Sequence, residues 1–381
     1  MAPWSCAACT FENADEMLVA CELCLTQRVV LCTKCRREIR NGACVMAAER
    51  PYHRECFRCA ACHAFFSTPQ FQLKDDEPYH LECYKTLFLP VCEVCEQHIP
   101  TNESGNVVFK MVPFWDMRYC PTHDDRARCC SCQRMEPSDP RRRFEQLSDG
   151  RKTCHDCCLT VILDTDEVQP VVRDVWQFLE SLGIHLPVVP VYLVEYSTLN
   201  EHLHSTHSHD GDGASSQGFV TRGLCLSEVT ELRHLVRRGR HHVPEVVRLQ
   251  KNRSVNAILL LHGLPYELTA QVLAHEATHA YIKLNDGYPD ALAPMVEEGV
   301  CQLISYLWLQ YRQMLSESEG ETTEDATTGF ARKLRAFYVQ QIETDPSPVY
   351  GDGFRRAFDA YERTHSLQRI FDSIRQFGCF P

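Results

Sequence analysis

The sequence predicts a multidomain chain, with small metal-stabilised modules first and one α+β domain with its own core after them. Three observations carry this. The chain has 381 residues, room for two or more domains, with an ordinary 44% hydrophobic content. Twenty of its 23 cysteines lie between Cys6 and Cys158, most of them in C-x2-C pairs, and only Cys225, Cys301 and Cys379 follow. From residue 165 the cysteine pairs give way to longer segments with helical or strand periodicity.

Charge and hydropathy exclude some functions. A formal net charge of -12 argues against a general nucleic-acid binder, which needs a basic face to displace counterions. No apolar run approaches the roughly 20 residues that span a bilayer. The start, "MAPWSCAACT", lacks the basic then apolar pattern of a secretory signal, so the expected location is the cytoplasm, with nuclear access open. In a reducing compartment, C-x2-C pairs read as zinc sites rather than disulfides.

The first module, residues 1–28, holds Cys6, Cys9, Cys21 and Cys24 in C-x2-C-x11-C-x2-C spacing, suited to one tetrahedral zinc. About 25 residues bury too little apolar surface to fold unaided, so the metal must supply the stability. With Trp4 and Asn13 the segment resembles the Ran-binding-protein type of zinc finger (NZF), although the gap between its pairs is one residue longer than usual. One branch of that family binds ubiquitin through a Thr-Phe pair and an apolar residue, positions held here by Thr10, Phe11 and Leu23. Another branch binds single-stranded RNA, but Glu12, Asp15, Glu16 and Glu22 would repel phosphate. A purely structural finger is the remaining alternative.

Residues 30–88 carry Cys32-x2-Cys35-x17-His53-x2-Cys56 and then Cys59-x2-Cys62-x17-His80-x2-Cys83. Eight ligands at these intervals describe two zinc ions and resemble a LIM domain, with His80 where many LIM domains have cysteine. Residues 89–162 repeat the order more loosely. Cys92, Cys95, Cys120 and His123 form one set, and Cys129, Cys132, Cys154 and Cys157 the next. This reads as a LIM-like module with two zincs, in which Cys130 and Cys158 adjoin ligands and could replace them. Cys44 is expected to be a small buried apolar residue. Each of these sites takes all four ligands from the chain, so protein binding rather than catalysis is their expected work.

Residues 165–381 form the last domain. "VQPVVRDVWQFLESLGI" has helical spacing, with Val172, Val175, Phe178, Leu179 and Leu182 on one side and Gly183 as a stop. "PVVPVYLVEY" and "VNAILLLHGL" read as strands, and "TRGLCLSE" as another. "EHLHSTHSHDGDGASSQG" reads as a solvated loop, with a metal tract as the weaker alternative. The acidic stretch "SESEGETTEDATT" reads as a surface loop, with docking of a basic partner as the alternative. From Phe330 onward the tail is expected to be helical, with Gly351 and Gly353 punctuating a turn.

Within this domain "LTAQVLAHEATHAYIKLN" places His275 and His279 four apart on a predicted helix, so that both imidazoles can share one cation. Glu276 adjoins the first histidine without being a ligand. This is H-E-x-x-H, the zincin metallopeptidase motif, and it makes the domain's expected fold an α+β zincin-like one. Glu298, on a second predicted helix, follows His279 after 18 intervening residues, an interval that looks like the gluzincins. Glu297 is the runner-up ligand; neighbours on a helix point about 100° apart, so only one of the two can face the zinc. Zinc held by His275, His279 and Glu298 leaves its fourth position to water, from which Glu276 takes a proton that it later gives to the leaving amine. Tyr350 and His262 are candidates for stabilising the oxyanion. The whole chain is expected to hold six zincs, one catalytic and five structural.

The order of "RCCSCQRMEP", "DGRKTCHDC", "RGLCLSE", "AHEATHA", "VEEGVCQ" and "SPVYGDGFR" resembles the DA-one family of growth regulators, named from plants, over residues 30–381. The resemblance implies a ubiquitin-regulated peptidase acting on proteins of the ubiquitin system, with ubiquitin or ubiquitinated proteins as partners. Plant members commonly carry ubiquitin-interacting helices at the N-terminus, and here the zinc finger stands in that place. The rival reading is a zinc-finger and LIM adaptor with an inactive peptidase domain.

Overall fold

The structure is a computed structural model describing residues 3–14, 20–39, 44–47, 49–104, 106–206, 221–236, 245–289, 291–318 and 326–381. Asp15 and Glu16 of the finger, most of the His/Ser/Gly/Asp segment and the centre of the acidic stretch lie outside them. The chain forms two compact units. One comprises Met1–Cys92, Glu96–Phe109 and Arg118–Cys120, the other Glu93–Cys95, Lys110–Met117 and Pro121–Pro381.

The first unit is built from one repeated device. After the second cysteine of each C-x2-C pair, the chain turns through a left-handed residue: Thr10, Leu25, Arg36 and His63, with φ of 57–60°. Each turn is closed by a hydrogen bond of 2.8–2.9 Å from that residue's N–H to the carbonyl of the first cysteine. None of the four is glycine, so each turn is held against its backbone preference by the cysteines it connects. Two short antiparallel hairpins, Cys44–Ala47 with Arg50–His53 and Gln72–Lys74 with Glu77–Tyr79, lead to the remaining LIM ligands: His53 ends the first with Cys56 in the turn after it, and His80 follows the second with Cys83 on the helix Leu81–Phe88. Cys44 is half-buried beside Met46 rather than in a core, because it lies on a hairpin with one face towards solvent.

The second unit holds the large core. Strand β1 (Val161–Ile162) precedes helix α1 (Thr165–Ser181), which is N-capped by the Asp164 carboxylate accepting from the amides of Asp166 and Glu167. The buried face of α1 is Val168, Val171, Val175, Phe178 and Leu179; the expected Val172 and Leu182 pack only at its margin. Gly183, at φ 77°, ends the helix as expected. Strand β2 (Val191–Val194) is followed by α2 (Tyr196–Thr206), so the segment read as a loop from residue 201 begins as helix. Strands β3 (Gly223–Val236) and β4 (Glu245–Leu261) form an antiparallel hairpin far longer than "TRGLCLSE" and "VNAILLLHGL" suggested. The sheet order is β2-β4-β3, with β2 parallel to β4 and β3 at an edge.

Strand β5 (Leu264–Pro265) pairs with β1 and leads into α3 (Tyr266–Leu284). Helix α3 is buried on nearly every side, and Ala270, Ala274, Ala277 and Ala280 let its neighbours approach closely. Helices α4 (Pro294–Ser318), α5 (Ala326–Glu343), α6 (Gly351–Thr364) and α7 (Leu367–Phe377) complete the unit. His365, in the left-handed region, breaks the predicted long tail helix into α6 and α7, and the Ser366 side chain caps the second. Among the described residues no helix is long and apolar enough to cross a membrane.

Gly351 and Gly353 do not make the expected turn; both lie in the first turn of α6. Their role is close approach. A Cβ on Gly353 would fall 2.5 Å from the Met295 carbonyl oxygen, and one on Gly299 only 2.4 Å from that of Gly353. Helices α4 and α6 therefore touch backbone to backbone beside Glu298. At an open helix position Gly→Ala stabilises by about 1 kcal/mol. Gly299→Ala is expected instead to cost about 1–3 kcal/mol and lower the thermal midpoint of this unit by a few degrees. A raised midpoint would contradict the contact.

Candidate functional site

Helices α3 and α4 bring the predicted residues together. The Nε2 atoms of His275 and His279 are 3.2 Å apart, and Glu298 Oε2 lies 3.0 Å from the first and 3.5 Å from the second. A zinc at ~2.1 Å from each of three tetrahedral ligands sets them about 3.4 Å apart, so these atoms fit the grip such an ion needs. Facing nitrogen lone pairs and a carboxylate at this distance repel one another unless a cation or proton lies among them. Burial pushes the Glu298 carboxyl up, but the imidazoles of His275 and His279 beside it outweigh this and hold the group well below the usual carboxylate range.

Glu297 also reaches the cluster, from the other side. Its Oε1 accepts from His279 Nδ1 at 2.8 Å. A carboxylate only accepts, so this contact puts the proton on Nδ1 and leaves Nε2 free to face His275. Burial raises the Glu297 carboxyl, and the His279 hydrogen bond more than reverses it, leaving the group ionised below its ordinary value. The two carboxylates thus stand on different sides of the cluster, Glu298 facing both Nε2 atoms and Glu297 bonded to the far nitrogen of His279.

Glu276 is buried to 9% exposure beside the cluster, under the edge strand. Strand β3 crosses it at Gly223, where a Cβ would stand 2.7 Å from Glu276 Cγ and 2.6 Å from Val272 Cγ1. Only a residue without a side chain lets the strand pass so close. Tyr350, at the start of α6, senses the same cluster: burial first, then the Glu298 carboxylate, push its phenol up to about 12. It is a neutral donor at ordinary pH. His262 is engaged elsewhere, its Nε2 3.5 Å from both Ser148 Oγ and Asp149 Oδ2. Two thiols border the site. Burial pushes Cys301 up to about 12 and Cys225 up to about 11, so neither competes as a thiolate.

The cysteine sets are also assembled. Cys6, Cys9, Cys21 and Cys24 gather their sulfurs, with Cys6–Cys24 at 3.5 Å and Cys9–Cys21 at 3.6 Å. Zinc–thiolate bonds of ~2.3 Å place tetrahedral sulfurs about 3.8 Å apart. In the next two sets His53 and His80 turn Nδ1 towards Cys35 and Cys62, at 3.3 Å, while Nε2 of each donates to a carbonyl, of Glu38 and Phe65. Each outer hydrogen bond fixes the tautomer that presents a lone pair to a metal. Cys92, Cys95, Cys120 and His123 form a further set that could hold an ion. Cys129, Cys132, Cys154 and Cys157 are all buried within the second unit. Cys130 turns to Thr153 Oγ1 and Cys158 to the Thr153 carbonyl, so neither takes a ligand's place. At the finger's surface Thr10 is exposed, with Phe11 and Leu23 at 37% and 65% exposure.

The chain is also similar to known proteins. The family description "DA1-like: Protein DA1" matches residues 183–377, and "LIM domain" matches residues 32–88. Over 92% of its length the chain is 39% identical to "Protein DA1-related 1" and 35% identical to "Protein DA1", both of Arabidopsis thaliana. It is 36% identical to "LIM domain-containing protein HDR3" of Oryza sativa subsp. japonica, again over 92% of its length. It spans 66%, 68% and 74% of those three relatives, respectively.

Proposed function

The chain belongs to the DA1 family, and from that premise we propose that it is a ubiquitin-regulated zinc metallopeptidase, with the cluster on α3 and α4 as its active site and an α+β zincin-like catalytic domain. The observation that supports this most directly is the convergence of His275 Nε2, His279 Nε2 and Glu298 Oε2 within 3.5 Å, with Glu276 alongside. Zinc held by these three residues supplies a Lewis acid that acidifies water and polarises an amide carbonyl. Glu276 accepts a proton from the attacking water and returns it to the leaving amine. Tyr350 donates its hydroxyl to the oxygen on which negative charge develops. Edge strand β3, open on one side at Gly223, offers backbone groups to an extended substrate over Glu276.

The remaining modules supply regulation and partners. LIM domains bind proteins, and here their metals replace the core that so few residues cannot build. The finger offers Thr10, Phe11 and Leu23 at its surface, where a partner can reach all three. Ubiquitin is the proposed partner, and components of the ubiquitin system the proposed substrates. The full complement is six zincs: five held by the cysteine-rich sets and one by the histidines.

The adaptor reading is separated from this one by Glu276, which no metal needs as a ligand. With ubiquitin present and an unfolded-protein mixture as substrate, the wild-type chain is expected to generate new N-termini. Glu276→Gln is expected to slow this by about 10²–10⁴-fold while keeping the zinc content. Equal cleavage by both proteins, or none by either, contradicts the peptidase. Glu297→Ala is expected to weaken zinc at the histidine cluster by about 10–100-fold in a chelator competition; unchanged affinity contradicts its orienting role. Phe11→Ala is expected to abolish detectable ubiquitin binding in solution NMR, and unchanged ubiquitin spectra would remove the finger from the account.

A further inference from the structure

The last cysteine set belongs to the catalytic unit's interior. Cys129, Cys132, Cys154 and Cys157 are buried in the same continuous core as α3, whereas Cys24 of the finger and Cys62 of the LIM segment are exposed. Arg134 lies against the set. Its Nε donates to Cys132 Sγ at 3.3 Å, and its Nη2 donates to Cys154 Sγ at 3.1 Å and to Asp156 at 2.8 Å. Four thiolates around one divalent ion leave two negative charges, and a half-buried guanidinium at this distance offsets part of them.

From this centre two routes run to the histidine helix. The first passes through α5. The Arg134 guanidinium lies over both Trp115 and Phe330, at 4.9 Å each, and those two rings stack 6.0 Å apart. Trp115 also donates from Nε1 to the Cys132 carbonyl at 2.8 Å, and packs against Phe337 at 5.5 Å. The Tyr338 hydroxyl donates to the Ser131 carbonyl at 3.4 Å. Phe330, Phe337 and Tyr338 all belong to α5. The same helix carries Arg335, whose Nη1 donates to Glu267 at 2.6 Å, with both side chains 5% exposed. Glu267 sits in the first turn of α3, two turns before His275. In the second route the chain leaves Cys157 for β1, which pairs with β5 directly ahead of α3, and the Tyr266 amide donates to the Thr160 carbonyl at 2.8 Å.

We propose that the Cys129/Cys132/Cys154/Cys157 centre is an internal strut of the hydrolase domain, and that emptying it unseats the start of the H-E-x-x-H helix. Without a metal among them the four sulfurs no longer hold Arg134 as counter-charge. The ring stack on Trp115 then loses its anchor, α5 loosens, and Glu267 is left buried without its arginine. A buried carboxylate stripped of its partner is strongly unfavourable, so the first turn of α3 must open to water. A LIM-like outline has thus been absorbed into the catalytic core, so this set is closed to partners. The inference rests on the reading of both sets as zinc sites.

The test compares full-length Cys157→Ser with full-length Cys59→Ser, which removes a ligand in the other compact unit. Bound zinc and amide hydrogen exchange are both measured. Cys59→Ser is expected to lose one zinc and leave exchange in residues 266–284 at the wild-type rate. Cys157→Ser is expected to lose two, with exchange in residues 266–284 and 326–343 faster by about tenfold or more. Loss of one zinc with wild-type exchange in α3 overturns the strut. Trp115→Ala, which removes no ligand, is expected to speed exchange in α5 and the first turn of α3, with Trp115→Phe restoring much of the protection; unchanged exchange in Trp115→Ala also overturns it. If the wild-type histidine cluster holds no zinc, the peptidase reading fails on the metal count alone, and the exchange rates still decide the strut.

Discussion

Two histidines one helical turn apart hold a cation firmly only when a third ligand arrives from another element, and here that arrival depends on how closely α4 lies against its neighbours. Glu298 meets the imidazoles because α4 is pinned between α3 on one side and α6 on the other. The second contact is possible only where both chains lack side chains, at Gly299 and Gly353. The same close approach sets Tyr350 at the edge of the cluster. Opposite, Gly223 lets the edge strand pass over Glu276. Three glycines thus set how near Glu276, Glu298 and Tyr350 stand to the imidazoles, though none of the three carries an ionisable group.

The ligand sets stand in different surroundings in the two halves. In the finger and LIM segment, each C-x2-C pair closes a left-handed turn, and a bound ion would supply energy that a module of this size cannot draw from apolar burial. In the second unit a large apolar core already exists, and the cysteine set there ties the loops ahead of α3 and the helix α5 into it. The histidine cluster differs again. Neutral imidazoles and one carboxylate leave an ion more electrophilic than four thiolates do, which suits reaction rather than cohesion.

Local spacing was legible in the sequence and long-range approach was not. Cysteine pairs write their geometry into a few residues, so the finger and LIM sets could be named from intervals alone. His275 and His279 follow from helical periodicity, and Glu298 from its distance along the chain. Glu297 reads as a rival ligand to Glu298, only one of which a separation of about 100° lets face an ion; its contact with the far nitrogen of His279 is located only by the fold. Gly223, Gly299 and Gly353 gave no signal of their purpose, since their value lies in what another element does nearby. The boundary drawn near residue 162 followed the end of the cysteine pairs, while the compact second unit already includes everything from Pro121. Val172 and Leu182 were placed on the buried side of α1 by periodicity, and the packing turned the helix slightly so that Val168 and Val171 took the centre.

The measurement that bears most directly on the central claim is anomalous scattering at the zinc absorption edge from crystals of the full chain. The account requires a peak bounded by His275 Nε2, His279 Nε2 and Glu298, at ~2.1 Å from each, with Glu297 still bonded to the outer nitrogen of His279. Peaks within the cysteine sets but none between α3 and α4 would contradict it and leave a zinc-bearing scaffold without an active centre.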